Sequence, residues 1–260
     1  MAETLFLEER RRTILDDLRK YGRVSVKELS DKLNVSAVTI RQDLRALEDE
    51  GLLERTYGGA MLRTSGSAPE VAFEVRREAN QAEKTAMARA AATLVQDGYG
   101  IALDASTTAY AISTYLRNFD NLTVVTNSLM IAQQFLDCPR ITVILPAGKL
   151  RRDSVSIVGS PNSLPDINLN IGFFSARGLT LEAGLTDISA EQAEMKRGLL
   201  ARCMKAVALI DSSKWGQVLP YTYALAPQMA RIITSQRVPR EMLDQFRAAG
   251  VNVDVVQAED

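Results

Sequence analysis

The sequence predicts an α/β protein in two parts, a small helical unit followed by a larger, mainly parallel α/β domain. Three observations support this prediction. Residues up to about 63 contain three helical segments and a Gly-Gly turn between two short extended runs. Residues 64–70, TSGSAPE, are small and polar, as is typical of a linker. From Gly98 onward, β-branched runs alternate with helical patterns, which favours a Rossmann-like parallel sheet with helices on both faces.

The composition fits a globular chain of this size. Of the 260 residues, 46% are hydrophobic and 24% are charged, and the formal net charge of −1 gives no general attraction to nucleic acid or to membranes. Histidine is absent and the two cysteines are far apart in sequence, so neither a metal nor another cofactor is expected. The N-terminus lacks the apolar segment of a secretion signal, and no apolar stretch reaches the length of a membrane span. We therefore expect a cytoplasmic protein with no membrane partner.

The N-terminal unit, residues 1–63, shows clear helix boundaries. The first helix is amphipathic and ends at Gly22. Each of the next two helices follows a serine that can cap it, and they span residues 26–33 and about 36–50. Extended runs on either side of the turn at residues 57–59 predict a β-hairpin. Helices in this order, followed by a hairpin, predict a winged helix-turn-helix.

The third helix has a face that can contact DNA. Ile40, Leu44 and Leu47 fall on one side and face the other helices, which leaves polar side chains on the opposite side. Arginine can pair with guanine, glutamine with adenine, and hydroxyl groups at a helix N-terminus can donate to phosphate. Twelve basic residues balance twelve acidic residues in this unit, so an ordinary solvated face is the alternative explanation. The candidate DNA-binding residues on the helix and hairpin are Ser36, Thr39, Arg41, Gln42, Arg45 and Arg55.

Polar residues follow successive predicted strands of the second domain. Asp104 and residues 106–108 come after the first strand, Thr126 and Asn127 after the second, and Lys149 after the third. Ligands bind at the carboxyl ends of parallel strands, and helix N-termini attract anions. A single one of these groups is commonly an ordinary helix cap, but together they predict a pocket for an anionic metabolite.

Three segments of the N-terminal unit form a specific sequence motif. Residues 24–30, 35–44 and 51–60 read VSVKELS, VSAVTIRQDL and GLLERTYGGA. This ordered set resembles the helix-turn-helix signature of the DeoR family of transcriptional regulators. The family usually has two basic residues in a row where this chain has Arg41 and Gln42, a difference that affects which base is read.

The second domain carries matching segments, among them LDASTT at residues 103–108, VTNS at 125–128 and DSSKWG at 211–216. These resemble the effector domain of the DeoR family, which is similar in fold to ribose-5-phosphate isomerase and glucosamine-phosphate deaminase. Ser175 stands where the family usually has glycine. The resemblance implies that the effector site is lined or supported by Asp104, Ser106, Thr107, Thr108, Thr126, Asn127, Lys149, Glu191, Lys196 and Lys214.

These observations predict a sequence-specific, DNA-binding transcriptional regulator and not an enzyme. Residues 1–63 would bind double-stranded operator DNA, residues 64–80 would be a linker, and residues 81–260 would bind the effector and form a homo-oligomer. The resemblance implies a repressor of a carbohydrate-catabolism operon that is released by a phosphorylated sugar or a related metabolite. Two alternatives stay open: the second domain retains isomerase-like or deaminase-like activity on sugar phosphates, or it is an oligomerisation scaffold without a ligand.

Overall fold

The computed structural model describes residues 7–21, 23–49, 52–56, 58–61, 73–152 and 154–259. The chain divides into two compact units, Met1–Val71 and Ala72–Asp260. Of the predicted linker, residues 64–72 lie outside the described residues. Its remaining part, from Phe73 onward, belongs to the second unit and begins with a helix, so the sequence placed the end of the linker too late.

The helix boundaries of the first unit follow from its caps. The side chain of Ser25 accepts a hydrogen bond from the Glu28 amide at 3.1 Å, and that of Ser36 accepts one from the Thr39 amide at 3.1 Å. Both predicted N-caps are therefore confirmed. The predicted stop at Gly22 lies outside the described residues. The elements described in this unit are α1 (Leu7–Tyr21), β1 (Arg23–Ser25), α2 (Val26–Leu33), α3 (Ala37–Asp49), β2 (Glu54–Thr56) and β3 (Gly59–Met61).

The hairpin of the first unit is part of a three-stranded antiparallel sheet in the order β1-β3-β2. The sequence predicted β2 and β3 but not β1, because a three-residue strand has too few residues to show a period. Gly58 has φ +94°, and a side chain at Gly59 would lie 2.0 Å from the Val24 carbonyl oxygen, so the turn needs both glycines. The largest side chains of the core are Ile14, Leu18, Leu29, Ile40, Leu44, Leu47 and Leu53.

The second unit contains the α/β pattern that the sequence predicted. Its helices are α4 (Phe73–Glu78), α5 (Gln81–Ala92), α6 (Thr107–Leu116), α7 (Leu129–Gln133), α8 (Ala190–Leu200) and α9 (Arg240–Ala248). Its strands are β4 (Gly100–Leu103), β5 (Leu122–Thr126), β6 (Ile141–Ile144), β7 (Lys149–Arg151), β8 (Ser156–Val158), β9 (Ile171–Phe174), β10 (Gly178–Thr180), β11 (Gly184–Asp187), β12 (Ala206–Leu209), β13 (Tyr221–Ala224), β14 (Arg231–Ser235) and β15 (Val253–Val256). Within the described part of the chain, no helix combines the length and the apolar character needed to cross a membrane.

Seven parallel strands form the central sheet in the order β15-β14-β12-β9-β4-β5-β6. Alternate side chains of each strand point to opposite faces, and a separate apolar core lies on each face. Helices α5 and α6 contribute to one core, while α8 and α9 contribute to the other. The prediction of a mainly parallel sheet covered on both faces is confirmed.

Two smaller strand pairings were not predicted. Strands β10, β11 and β13 form an antiparallel sheet, and β7 pairs with β8 as an antiparallel hairpin. Each of these strands has three or four residues, which is too few for a clear alternation of apolar and polar side chains.

The strand order reverses between β4 and β9. The chain passes from β4 to β5 and β6 on one side, and β9 then returns to the other side of β4. Such a reversal opens a crevice at the carboxyl ends of the two strands, which is where α/β sheets bind ligands. The polar residues that follow β4, β9 and β12 lie at this edge.

Candidate functional site

The exposed face of α3 is the candidate DNA-binding surface of the first unit. Ile40 and Leu44 are buried, whereas Arg41, Gln42 and Arg45 are exposed on the opposite side, as the helical projection predicted. Two long cationic side chains and one amide can therefore reach base edges or phosphates.

Ser36 and Thr39 lie at the N-terminal end of α3. In addition to the cap described above, their hydroxyl oxygens are 2.8 Å apart, so each hydroxyl already has one partner. Ser36 is exposed and Thr39 is half-buried. Their position suits a phosphate contact, because amide groups and the helix dipole favour an anion at this end of the helix.

Arg55 is exposed on β2, close to α3. Its Nη1 lies 3.8 Å from Glu48 Oε2, and its backbone amide donates to Glu48 Oε1 at 3.0 Å. An exposed ion pair of this kind is weak in water. The guanidinium can therefore exchange Glu48 for a DNA phosphate at little cost.

A buried ion pair that was not predicted from the sequence connects α1 to α3. Arg10 Nε donates to Asp43 Oδ2 at 2.5 Å, and Arg10 Nη2 donates to Asp43 Oδ1 at 3.2 Å. The hydrogen bond to Asp43 raises the pKa of Arg10. Asp43 follows Ile40 by three positions and precedes Leu47 by four, so helical spacing alone places this carboxylate on the buried face. The pair fixes the helix whose other side faces solvent.

Asp104 lies at the strand reversal of the second unit and is fully buried. Its Oδ1 accepts a hydrogen bond from the Ser106 amide at 3.1 Å, and its Oδ2 accepts one from the Ser175 amide at 2.8 Å. Lys196 Nζ is 3.3 Å from Oδ2. The carboxylate therefore ties the loop after β4 to the loop after β9.

Lys196 has further partners in the same buried cluster. Its ammonium group donates to Asp187 Oδ2 at 2.8 Å and lies 4.9 Å from the centre of the Tyr223 ring. Burial alone would lower the pKa of Lys196, but Asp187 and Asp104 outweigh it and raise that pKa. Burial and the same two carboxylates raise the pKa of Tyr223 well above its usual value, so the phenol stays neutral. Asp187 and Tyr223 were not predicted, because they lie on the two short strands that the sequence did not reveal.

Ser175 takes part in this cluster through its backbone. Besides its amide bond to Asp104, its carbonyl oxygen accepts hydrogen bonds from Lys196 Nζ at 2.6 Å and from the Tyr223 hydroxyl at 3.1 Å. None of these three contacts uses the serine side chain. The presence of serine where the DeoR family usually has glycine therefore leaves the network intact.

The N-terminus of α6 brings three predicted residues together. Ser106 is the N-cap, and its side chain accepts from the Ala109 amide at 3.0 Å. Thr107 and Thr108 are buried, and the Thr107 hydroxyl lies 3.4 Å from the Arg76 carbonyl oxygen. The N-terminus of a helix favours a bound anion, so this end of α6 is a candidate phosphate site.

A buried, uncharged polar cluster lies after β5. The Thr126 hydroxyl accepts from the Ser128 amide at 3.1 Å, and Asn127 Nδ2 donates to the Ile157 carbonyl at 3.1 Å. Asn127 Nδ2 is also 3.5 Å from Gln192 Oε1. Gln192 was not predicted, although it follows the cap residue Ser189 in a recognisable helix start.

Two lysines and a carboxylate meet after β12. Asp211 is buried and accepts from Asn80 Nδ2 at 2.8 Å. Burial would raise the pKa of Asp211, but Lys214, the hydrogen bond from Ser213 and Lys84 together outweigh burial and lower that pKa. Burial lowers the pKa of Lys214, assisted by the charges of Arg177 and Arg76.

Lys84, from α5, completes this cationic cluster and was missed by the sequence analysis. It is 5% exposed, and its ammonium group donates to the backbone carbonyls of Arg76 and Ala79. Burial lowers the pKa of Lys84 to about 8; the nearby charge of Lys214 adds to this effect and Asp211 opposes it. The signal was present, because Lys84 shares a helical face with buried apolar residues at positions 87, 88 and 91.

A cavity of about 500 Å³ opens between α4, α5 and α6. Lys84 and Thr107 both line it, together with Arg77 and Tyr110. Lys84 and the N-terminal residue of α6 therefore border the same cavity.

Lys149 and Glu191 lie apart from the buried clusters. Lys149 is exposed on β7, and Glu191 is exposed at the start of α8. Glu191 Oε2 lies 3.5 Å from Arg151 Nη1, so its described partner is a cation of the β7–β8 hairpin.

Known protein families match both units of the chain. Residues 10–66 match the DeoR-like helix-turn-helix domain, and residues 79–236 match the DeoR C-terminal sensor domain. The regulator GolR of Listeria innocua is 37% identical over 255 residues, covering 97% of this chain and all of that protein. A putative aga operon transcriptional repressor of Escherichia coli O157:H7 is 31% identical, covering 95% of this chain and 93% of that protein.

Further matches include the transcriptional repressor GlcR of Bacillus subtilis, which is 31% identical over 98% of this chain and 99% of its own length. Among solved structures, ribose 5-phosphate isomerase A of Methanocaldococcus jannaschii has a TM-score of 0.40 and 18% identity, covering 53% of this chain and 55% of that one. The family models span both units, and full-length relatives exceed 30% identity. The chain therefore belongs to the DeoR family of transcriptional regulators, with an N-terminal helix-turn-helix domain that binds DNA and a C-terminal sensor domain.

Proposed function

We propose that this regulator represses a carbohydrate-catabolism operon and that a phosphorylated sugar releases it from the operator. The proposal that it represses rests on relatives that are named repressors. Operator DNA is bound by the exposed face of α3, through Arg41, Gln42 and Arg45, while Ser36, Thr39 and Arg55 contact flanking phosphates.

The observation that carries the effector proposal is the cavity shared by Lys84 and Thr107. Burial is the main cause of the lowered pKa of Lys84, and Lys214 adds to it although Asp211 opposes it, so the charged form of this ammonium group is disfavoured. A phosphate group would favour that charged form and accept hydrogen bonds at the N-terminus of α6. Lys214 adds positive charge next to Lys84.

The sugar part of the effector suits the uncharged cluster after β5. Asn127 and Gln192 are buried there and carry no charge, so this environment matches hydroxyl groups better than a second anionic group. Asp104 and Lys196 hold the intervening loops in place. Lys149 and Glu191 have a supporting role at most, because both are exposed.

We also propose that the chain acts as a homo-oligomer. A single recognition helix contacts few base pairs, so two copies are needed to read a repeated or palindromic operator. If the effector weakens operator binding by a given factor, the operator weakens effector binding by the same factor. The regulator works where its operator DNA is, in the cytoplasm.

A thermal-shift screen of the full-length chain tests the effector proposal. Pentose and hexose phosphates are compared with the same sugars without phosphate, because a ligand that binds only the folded state raises the melting temperature. We expect a shift with one or a few phosphorylated sugars, its loss in Lys84→Met, and its retention in Lys205→Met, a control at an exposed lysine. The phosphate that gives the shift should also lower operator affinity. A shift that is undiminished in Lys84→Met would move the phosphate site elsewhere.

The geometry favours a sensor over an enzyme. A general base must be free to take a proton from the substrate. Each oxygen of Asp104 already accepts a backbone amide, and one also faces Lys196, so this carboxylate is suited to positioning loops. Conversion of any sugar phosphate in the screen would favour the enzyme alternative, and the lack of any shift would favour the scaffold.

A further inference from the structure

Val38 is an exposed aliphatic side chain at the N-terminal end of the candidate DNA-binding face. It is 60% exposed, in the first turn of α3. Arg41, Gln42 and Arg45 follow it by three, four and seven positions, so all four side chains share one stripe of the helix. This face is therefore not purely polar, and its apolar element lies at the end of the helix that enters a groove first.

Folding of the first unit does not explain a valine at this position. Most of its side chain stays in water, so it adds little apolar burial to the core. A β-branched residue also forms helix less readily than alanine at an exposed site. The side chain would bury its two methyl groups only when another surface covers α3.

Among the base edges of the major groove, only thymine presents a methyl group, and aliphatic side chains contact it. The hydrogen-bonding groups of the same groove are suited to the neighbouring arginines and glutamine, not to Val38. We propose that Val38 is a specificity-determining residue that contacts the 5-methyl group of a thymine in the operator. This inference rests on the proposed use of the exposed face of α3.

Replacement of thymine by deoxyuridine removes that methyl group and leaves base pairing unchanged. The wild-type full-length chain is first used to select its operator from a random double-stranded library. Each thymine of the selected operator is then replaced singly by deoxyuridine, and affinity is measured by fluorescence anisotropy. We expect one replacement per half-site to weaken wild-type binding about fivefold, the lower end of the usual effect of one altered base pair.

The variant Val38→Ala tests whether Val38 makes the contact. It should bind the thymine operator about fivefold more weakly and should no longer distinguish thymine from deoxyuridine at that position. Its melting temperature should equal or exceed that of the wild type, because alanine favours the helix. Leu136→Ala, which alters a side chain that is 85% exposed in the other unit, should keep the wild-type response to deoxyuridine.

The outcomes separate this inference from the proposed function. If no deoxyuridine replacement affects the wild type, or if Val38→Ala remains equally sensitive at the same position, the role of Val38 is wrong. If Arg41→Ala and Val38→Ala both bind every operator fragment like the wild type, the proposed use of α3 is wrong as well.

Discussion

The backbone amide of Ser175 donates a 2.8 Å hydrogen bond to Asp104 Oδ2 across the neighbouring parallel strands β9 and β4. These two strands flank the reversal of strand order in the central sheet. The bond joins the two loops at this strand reversal, and Lys196 from α8 contacts the same carboxylate. The proposed effector site thus lies beside a buried network whose own polar groups are largely hydrogen-bonded.

Loss of the Lys196 ammonium group should destabilise the second unit. Lys196→Met leaves Asp104 and Asp187 buried without their shared cation, which should lower the free energy of unfolding by about 3–5 kcal/mol. Urea unfolding followed by fluorescence of Trp215, the single tryptophan, reports on this unit. Adding Asp187→Asn should restore part of the loss, and Lys205→Met should have little effect. An unchanged urea midpoint in Lys196→Met would contradict the role of this cluster.

The pH dependence of effector binding should follow Lys84. Its pKa in the folded chain is about 8, below the ordinary 10.5. A phosphate needs the protonated ammonium group, so effector affinity should be constant just below pH 8 and fall by up to about tenfold per pH unit above it. Isothermal titration between pH 7 and pH 10 measures this slope. Lys84→Met should bind weakly with no such slope, and an equal slope in that variant would assign the titration to another group.

The free energy of unfolding should rise with pH through the titration of Lys84, whereas effector affinity should fall. Between about pH 8 and pH 10.5, the unfolded chain keeps the Lys84 proton that the folded chain has lost. Stability rises with pH wherever the unfolded state binds more protons, so this lysine contributes a rising free energy of unfolding in that window. The difference between the wild type and Lys84→Met in urea unfolding isolates this contribution. The lowered pKa would be contradicted if the free energy of unfolding of the wild type, minus that of Lys84→Met, did not rise between about pH 8 and pH 10.5.

The ion pair of Arg10 and Asp43 should support the DNA-binding helix from behind. Asp43→Asn removes the buried negative charge that Arg10 contacts, at an expected cost of about 3 kcal/mol to the first unit. Far-UV circular dichroism should show an earlier thermal transition that Trp215 fluorescence does not report. Asp49→Asn, at an exposed position of the same helix, is the matched control and should melt like the wild type. Equal melting of the two variants would mean that the pair adds no net stability.

Substitutions of Arg41 and Arg55 should affect DNA binding differently, because Arg41 is proposed to read a base and Arg55 to contact a phosphate. Arg41→Ala should weaken operator binding by about 1–3 kcal/mol and relax the preference at one base pair. Arg55→Ala should weaken binding to all sequences alike and reduce the salt dependence by about one released ion. Anisotropy titrations on operator and scrambled DNA at several salt concentrations distinguish the two. Uniform weakening on all sequences in both variants would show that neither residue reads a base.

Local patterns predicted much of the secondary structure. The bounds of α2 agree with the predicted segment residue for residue, because a serine cap marks its start clearly. Helix α5, Gln81–Ala92, is harder to delimit from sequence, since an alanine-rich stretch forms helix without sharp boundaries. The short strands β1 and β13 owe their existence to pairing partners that are distant in sequence.

The candidate site divides in the same way. Residues 106–108, Thr126 and Asn127 were predicted, because each directly follows a strand along the chain. Lys84, Asp187 and Tyr223 were not, since each reaches the site from an element whose position depends on packing. Lys149 illustrates the converse, because it follows a strand and yet is exposed on a separate hairpin.

The sequence by itself determined the two-part architecture, the capped helices of the first unit and the polar residues at the strand ends, since spacing and caps act over a few residues. Only the tertiary structure decided that β9 returns beside β4, that Ser175 thereby reaches Asp104, and that Lys84 shares a cavity with Thr107. These relationships are contacts between residues more than twenty positions apart. They depend on strand order and on helix packing, which local periodicity does not encode.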